Sequence, residues 1–146
     1  KKVQALRQEL IFLIEKDAQG FDQVLAARRM PKYTEFEIAQ RNTKIQEATL
    51  TATSIPLEVM EKTVAVMEHL PVIAEKGNVN SISDVGVANL MAISAVKGAN
   101  MNVRINLPGL EDEGKRNELA KSSQTTLAKA QELFNKTEQI VESKLG

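Results

Sequence analysis

Four groups of polar residues in this chain have types that could do chemistry: Asp17; Arg41 with Gln46; Asn78, Asn80, Ser83 and Asp84; and Asn102, Arg104 and Asn106. Asp17 follows Leu13 by four residues and Ile14 by three, and precedes Phe21 by four, so on a helix its surface neighbours are apolar. Apolar surroundings disfavour the charged form of a carboxylate. A carboxyl that can hold its proton near neutral pH suits a general acid or base. An aspartate paired with an arginine from a neighbouring helix would show the same pattern.

Arg41 falls on the apolar side of its own segment, among Ile38, Ile45, Ala48 and Ala52. Its planar fork suits either a carboxylate across helices or an anionic ligand, and Gln46 flanks that stripe as a second candidate. The stretch Gly77–Ala88 crowds polar residues into a turn, and an almost wholly apolar segment follows. Ser81 and Asp84 have capping-box spacing, which places a helix N-terminus here with its N–H groups open to an anion; capping alone would also explain them. Met101 to Leu107 alternates, with Asn102, Arg104 and Asn106 on one side, and predicts an extended segment. On such a segment the three polar side chains line a groove of about 13 Å, the scale of a small ligand. His69 has no carboxylate or serine at triad-like spacing and reads as an ordinary surface or packing residue.

Helices must position these groups. Val3, Leu6, Leu10, Leu13, Ile14, Phe21, Val24 and Leu25 recur at three- and four-residue steps and predict a helix to about residue 29. Pro31 ends it, and Gly20 allows a close approach. Thr34 and Glu37 form a capping box for a second helix, to about residue 53. Pro56 is expected to open a third, kinked at Pro71 and closed by Gly77. The apolar run from Val85 to Ala99 predicts a helix buried on all sides. Pro108-Gly109 turns the chain, and a last helix runs from about Asp112 to Leu145.

The 146 residues suit one domain, residues 1–146, with 42% hydrophobic and 26% charged residues. The fold class is all-α: a bundle of long helices with one short extended segment. Lys plus Arg is 19 and Asp plus Glu is 19, and this balance argues against nucleic-acid or membrane-surface partners. With no cysteine and one histidine, no metal site is expected. No uninterrupted apolar run reaches about 18 residues, so no bilayer span is expected. The first and last helices carry longer apolar stripes than so small a globule can cover, which predicts a two-fold homodimer. A cytoplasmic location is the default expectation.

The order of these pieces is itself informative. Gly77-Asn78-x-Asn80-Ser81-x-Ser83-Asp84-x-Gly86-Val87-Ala88 is followed by Asn102-Val103-Arg104-Ile105-Asn106-Leu107. Upstream stand Asp17-Ala18-x-x-Phe21, Met30-Pro31-Lys32, Arg41, Ile45-Gln46-x-Ala48 and Pro56-Leu57. Over roughly residues 10 to 113 this pattern resembles the cyclodeaminase/cyclohydrolase family of folate enzymes. The resemblance implies an all-helical dimer and a tetrahydrofolate derivative as substrate, with no cofactor beyond it. It implies a catalytic aspartate at Asp17. The Asn78–Asp84 turn and the Asn102–Asn106 segment are implied as folate-site residues, and a formiminotransferase as a partner.

Cyclodeamination of 5-formiminotetrahydrofolate to 5,10-methenyltetrahydrofolate and ammonia is the first expectation, with Asp17 protonating the leaving nitrogen. Hydrolysis of the methenyl bridge is the second, and a non-catalytic folate-binding or scaffold homologue the third. The family usually opens with a Pro-Gly-Gly-Gly-Ser-type turn and a small-residue helix. Neither is in this sequence, so a glycine-rich segment is expected upstream of it.

Overall fold

In a computed structural model that describes residues 2–145, the chain forms four long helices and one short one. The helices are α1 (Lys2–Arg29), α2 (Glu35–Met67), α3 (Leu70–Lys76), α4 (Ile82–Asn106) and α5 (Glu113–Leu145). Single 3₁₀ turns at Val79–Ser81 and Leu107–Gly109 lead into and out of α4. No strand occurs among the described residues.

The core lies between α2, α4 and α5. Met60, Val64 and Met67 of α2 meet Ile93, Val96 and Val103 of α4 and Leu119 and Ala130 of α5. α1 lies on α2 through Leu13, Gly20 and Ala27, which recur every seven residues. A Cβ on Gly20 would stand 3.2 Å from Ile55 Cδ1, so glycine sets how closely the two helices approach. The Thr34–Glu37 capping box forms as expected, with both reciprocal bonds present. At the far end Lys144 Nζ donates to the carbonyls of Ala74 and Glu75, at 2.6 and 2.7 Å, capturing the end of α3.

The prolines behave oppositely to the expectation drawn from local sequence. Pro56 does not open a helix; it lies inside the continuous α2. Proline there removes the N–H that would bond the carbonyl of Ala52, four residues back. Asn106 Nδ2 donates to that carbonyl instead, at 3.0 Å. Pro71, conversely, does not kink a helix; it stands in the first turn of α3, where its missing N–H is free of consequence. Gly77 closes α3 as expected, because a Cβ there would sit 2.4 Å from the Ile73 carbonyl oxygen.

Met101–Leu107 is not extended. Met101 to Asn106 is the last part of α4, and Leu107 begins the 3₁₀ turn. Val96, Ala99 and Val103 fall at three- and four-residue steps against the core. Over seven residues an alternating pattern and a helical one overlap, and packing selects the helical one. α4 is also not buried on all sides: Val87, Leu90, Met91, Met101 and Ile105 are exposed. The segment Val79–Gly109 is long and apolar enough to cross a bilayer, which the count of uninterrupted apolar residues missed. It packs between α2 and α5 as a bundle helix, with Asn89 and Asn100 buried in it.

Candidate functional site

α1 and α4 lie side by side on α2 and leave a trough between them. One cavity of about 610 Å³ is lined by Asp17, Phe21 and Arg28 of α1, Asn102 and Asn106 of α4, and Ala52 of α2. A second, of about 270 Å³, shares Asp17 and Asn102 and is floored by Pro56. Residues 85 positions apart in sequence thus meet at one place. Helical spacing explains the α1 wall: 17, 21, 24 and 28 form one stripe, which carries Asp17, Phe21, Val24 and Arg28 to the same side.

Asp17 is exposed on this trough, and no hydrogen bond or ion pair to it occurs among the described residues. Both sequence-based accounts of it therefore need correction. Its stripe is not buried in this chain, because Ile14 and Phe21 beside it are themselves exposed. It is also not the partner of Arg41, whose Nε and a terminal nitrogen donate to the Arg28 carbonyl at 3.3 and 3.1 Å. Arg41 fixes the end of α1 against α2.

Gln46 is a strap rather than a cavity residue. Its Nε2 donates to Gly109 O at 3.0 Å and its Oε1 accepts from Glu111 N at 2.9 Å, pinning the turn after α4 onto α2. Asn106 reaches the trough but spends its amide on Ala52 O, so it shapes the floor.

The expected groove of Asn102, Arg104 and Asn106 does not exist, because the segment is helical. Asn102 and Asn106 are one turn apart on one face, and Arg104 lies about 200° round from Asn102. Arg104 instead lines a separate cavity of about 820 Å³ between α4 and α5, with Asn100, Arg116, Asn117 and Ser123. The Ser123 hydroxyl donates to Asn100 Oδ1 there, at 2.6 Å.

Asn78, Asn80, Ser83 and Asp84 are all exposed at the opposite end of α4. Asn78 Oδ1 accepts from Asn80 N at 3.0 Å and organises the 3₁₀ turn. The Ser81–Asp84 capping box does not form, since Ser81 makes no side-chain cap bond and the 3₁₀ turn feeds α4 directly. Asp84 precedes Asn102 by 18 residues, about 27 Å of helix. Within one chain this turn does not reach the Asp17 trough. Arg28 was missed from sequence; its place on the Asp17 stripe was the signal that could have found it.

The family model for formiminotransferase-cyclodeaminase matches residues 1–125. The chain belongs to this family. It is 39% identical to the methenyltetrahydrofolate cyclohydrolase of Methylorubrum extorquens over 146 residues, all of this chain and 70% of that protein. The formimidoyltransferase-cyclodeaminases of Gallus gallus and Rattus norvegicus are 32% and 33% identical over 105 residues, which are 72% of this chain and 19% of theirs. The crystal structure of formiminotetrahydrofolate cyclodeaminase from Thermotoga maritima has the same fold: the TM-score is 0.86 at 24% identity, covering 98% of this chain and 67% of that one.

Proposed function

We propose that the α1–α4 trough binds a tetrahydrofolate carrying a one-carbon group, and that the reaction is hydrolysis of the 5,10-methenyl bridge. The observation that carries this reading is the meeting of Asp17 and Asn102 on one cavity. The similarity to a protein named as a cyclohydrolase, along all of this chain and 70% of that protein, supports water as the nucleophile, ahead of the ammonia-releasing reaction expected from sequence. Asp17 acts as general base: it takes a proton from water as the C–O bond forms at the bridge carbon. The C–N5 bond then breaks as the hydroxyl becomes the formyl C=O and its proton passes to N5; the formyl group stays on N10, and the proton taken by Asp17 is released to solvent. The Asn102 amide can hold the substrate's polar edge. No cofactor beyond the folate enters these steps.

Cyclodeamination is the second reading, supported by the similarity to the animal cyclodeaminases. There N10 attacks the formimino carbon, the C–NH₂ bond breaks, and Asp17 donates the proton that ammonia carries away. Separate assays with methenyl- and formiminotetrahydrofolate distinguish the two. Under either reading Asp17→Asn lowers turnover by ~10²–10⁴, the usual contribution of a positioned proton-transfer group. Stability should hold, because the carboxylate is exposed and no ion pair to it occurs among the described residues. Full turnover by Asp17→Asn would remove the aspartate from the mechanism.

A further inference from the structure

We propose that the cavity between α4 and α5 is a second ligand site, separate from the Asp17 trough, and that it takes a small organic dianion carrying two carboxylates.

Each wall of this cavity carries one guanidinium. Asn100 and Arg104 stand one turn apart on α4, and Arg116 and Ser123 stand two turns apart on α5, so each helix turns an arginine and a small polar residue to the same side. The space between them is about 820 Å³, and no acidic side chain lines it. Two acids close to Arg116 in sequence are turned to Lys115 instead: Asp112 Oδ1 accepts from Lys115 N at 2.9 Å, and Glu118 pairs with the Lys115 ammonium. Neither arginine has an ion pair among the described residues. Two like charges on one concave surface raise its potential towards anions. Arg116 is already oriented, because a terminal nitrogen donates to the Leu110 carbonyl at 2.8 Å; the rest of its fork has no acceptor among the described residues. Arg104 makes no hydrogen bond among them at all.

A buried amide calls for the same ligand. Asn100 is 8% exposed and Ser123 2%, and both line the cavity. The Ser123 hydroxyl occupies Asn100 Oδ1, while Asn100 Nδ2 has no acceptor among the described residues. A side-chain amide buried to this degree ordinarily bonds through both ends. A carboxylate in the cavity accepts from Nδ2 and completes the set. Guanidinium forks match carboxylates in plane and spacing, and one fork on each wall suits an acid group at each end of the ligand. Leu107 and Leu127, half-buried in the lining, offer apolar surface to the carbons between. The trough is a different compartment: Arg104 lies about 200° round α4 from Asn102, so α4 itself separates the two.

Glutarate is the probe, with butyrate and inorganic phosphate for comparison. Calorimetry on the unmodified chain should show saturable glutarate binding, with the other two weaker. Arg104→Gln should weaken glutarate by about tenfold or more, the loss of one charge-assisted contact. That substitution removes no hydrogen bond within the fold, so Tm should hold. Arg116→Gln should weaken binding as well; if loss of its bond to Leu110 unfolds the chain, Arg104→Gln decides alone. Arg28→Gln removes the cation that lines the Asp17 trough and should leave glutarate binding unchanged. Absence of saturable binding overturns the proposal, as does binding that survives Arg104→Gln or that is lost in Arg28→Gln. Phosphate binding in place of glutarate overturns the carboxylate assignment. None of these measurements involves turnover or a folate, so their outcome is independent of the reaction assigned to the trough.

Discussion

The bond from Asn106 to Ala52 can be tested against the proline that makes it necessary. Pro56 has no N–H, so the Ala52 carbonyl has lost its helical donor in the middle of α2, and Asn106 Nδ2 replaces that donor at 3.0 Å. Both Ala52 and Asn106 are half-buried. Asn106→Ala leaves the carbonyl without either partner, a loss of about 1–3 kcal/mol. At this chain length each kcal/mol lowers Tm by about 2–4 °C. Asn106→Asp should do no better than alanine, since an ionised carboxylate accepts but cannot donate. Pro56→Ala restores the backbone N–H. In that background the loss from Asn106→Ala should shrink, giving a coupling of about 1–2 kcal/mol in a double-mutant cycle. Urea unfolding of the four proteins measures it. An equal loss in both backgrounds, within about 0.5 kcal/mol, would refute the argument that Asn106 substitutes for the proline's missing donor.

Other consequences follow from the helix contacts. Gly20→Val should destabilise by about 1–3 kcal/mol through overpacking against Ile55 and open the α1–α2 contact, as thermal unfolding would register. Gln46→Ala removes both bonds holding the turn at Gly109 and Glu111, for a loss of about 1–3 kcal/mol, and hydrogen exchange should rise at Glu111. Lys129 donates to Glu68 and holds its carboxyl below the ordinary value of 4.5. The folded chain thus prefers the ionised form, so this contribution is present above pH 4.5 and is lost as pH falls below it. Both side chains are about half exposed, so Glu68→Gln should flatten the acid limb of a stability–pH curve only slightly, and less in high salt.

Much of this architecture is written locally. The period of the apolar residues gives α1 and α5, because an apolar stripe at helical spacing is a property of the local sequence, whatever later covers it. The Thr34–Glu37 box and Gly77 mark helix ends through bonds and contacts made within a few residues. Asp17 was identifiable as a carboxylate among apolar neighbours on one face. The rest depended on partners distant in sequence. Whether Pro56 breaks a helix or stays inside one turns on Asn106, which is 50 residues away and supplies the missing donor. Whether Met101–Leu107 is strand or helix turns on α2 and α5, which bury Val103 with Val96 and Ala99. That choice separates Arg104 from Asn102 and places them on opposite faces of α4. Arg41 and Gln46 have the chemistry of ligand-binding groups, but the backbone carbonyls of Arg28 and Gly109 come within their reach and engage them. Residue type and spacing determine which groups can act and on which side of a helix they lie; only the packing of one helix against another decides which polar groups hold the fold and which, like Asp17 and Asn102, are left facing a cavity.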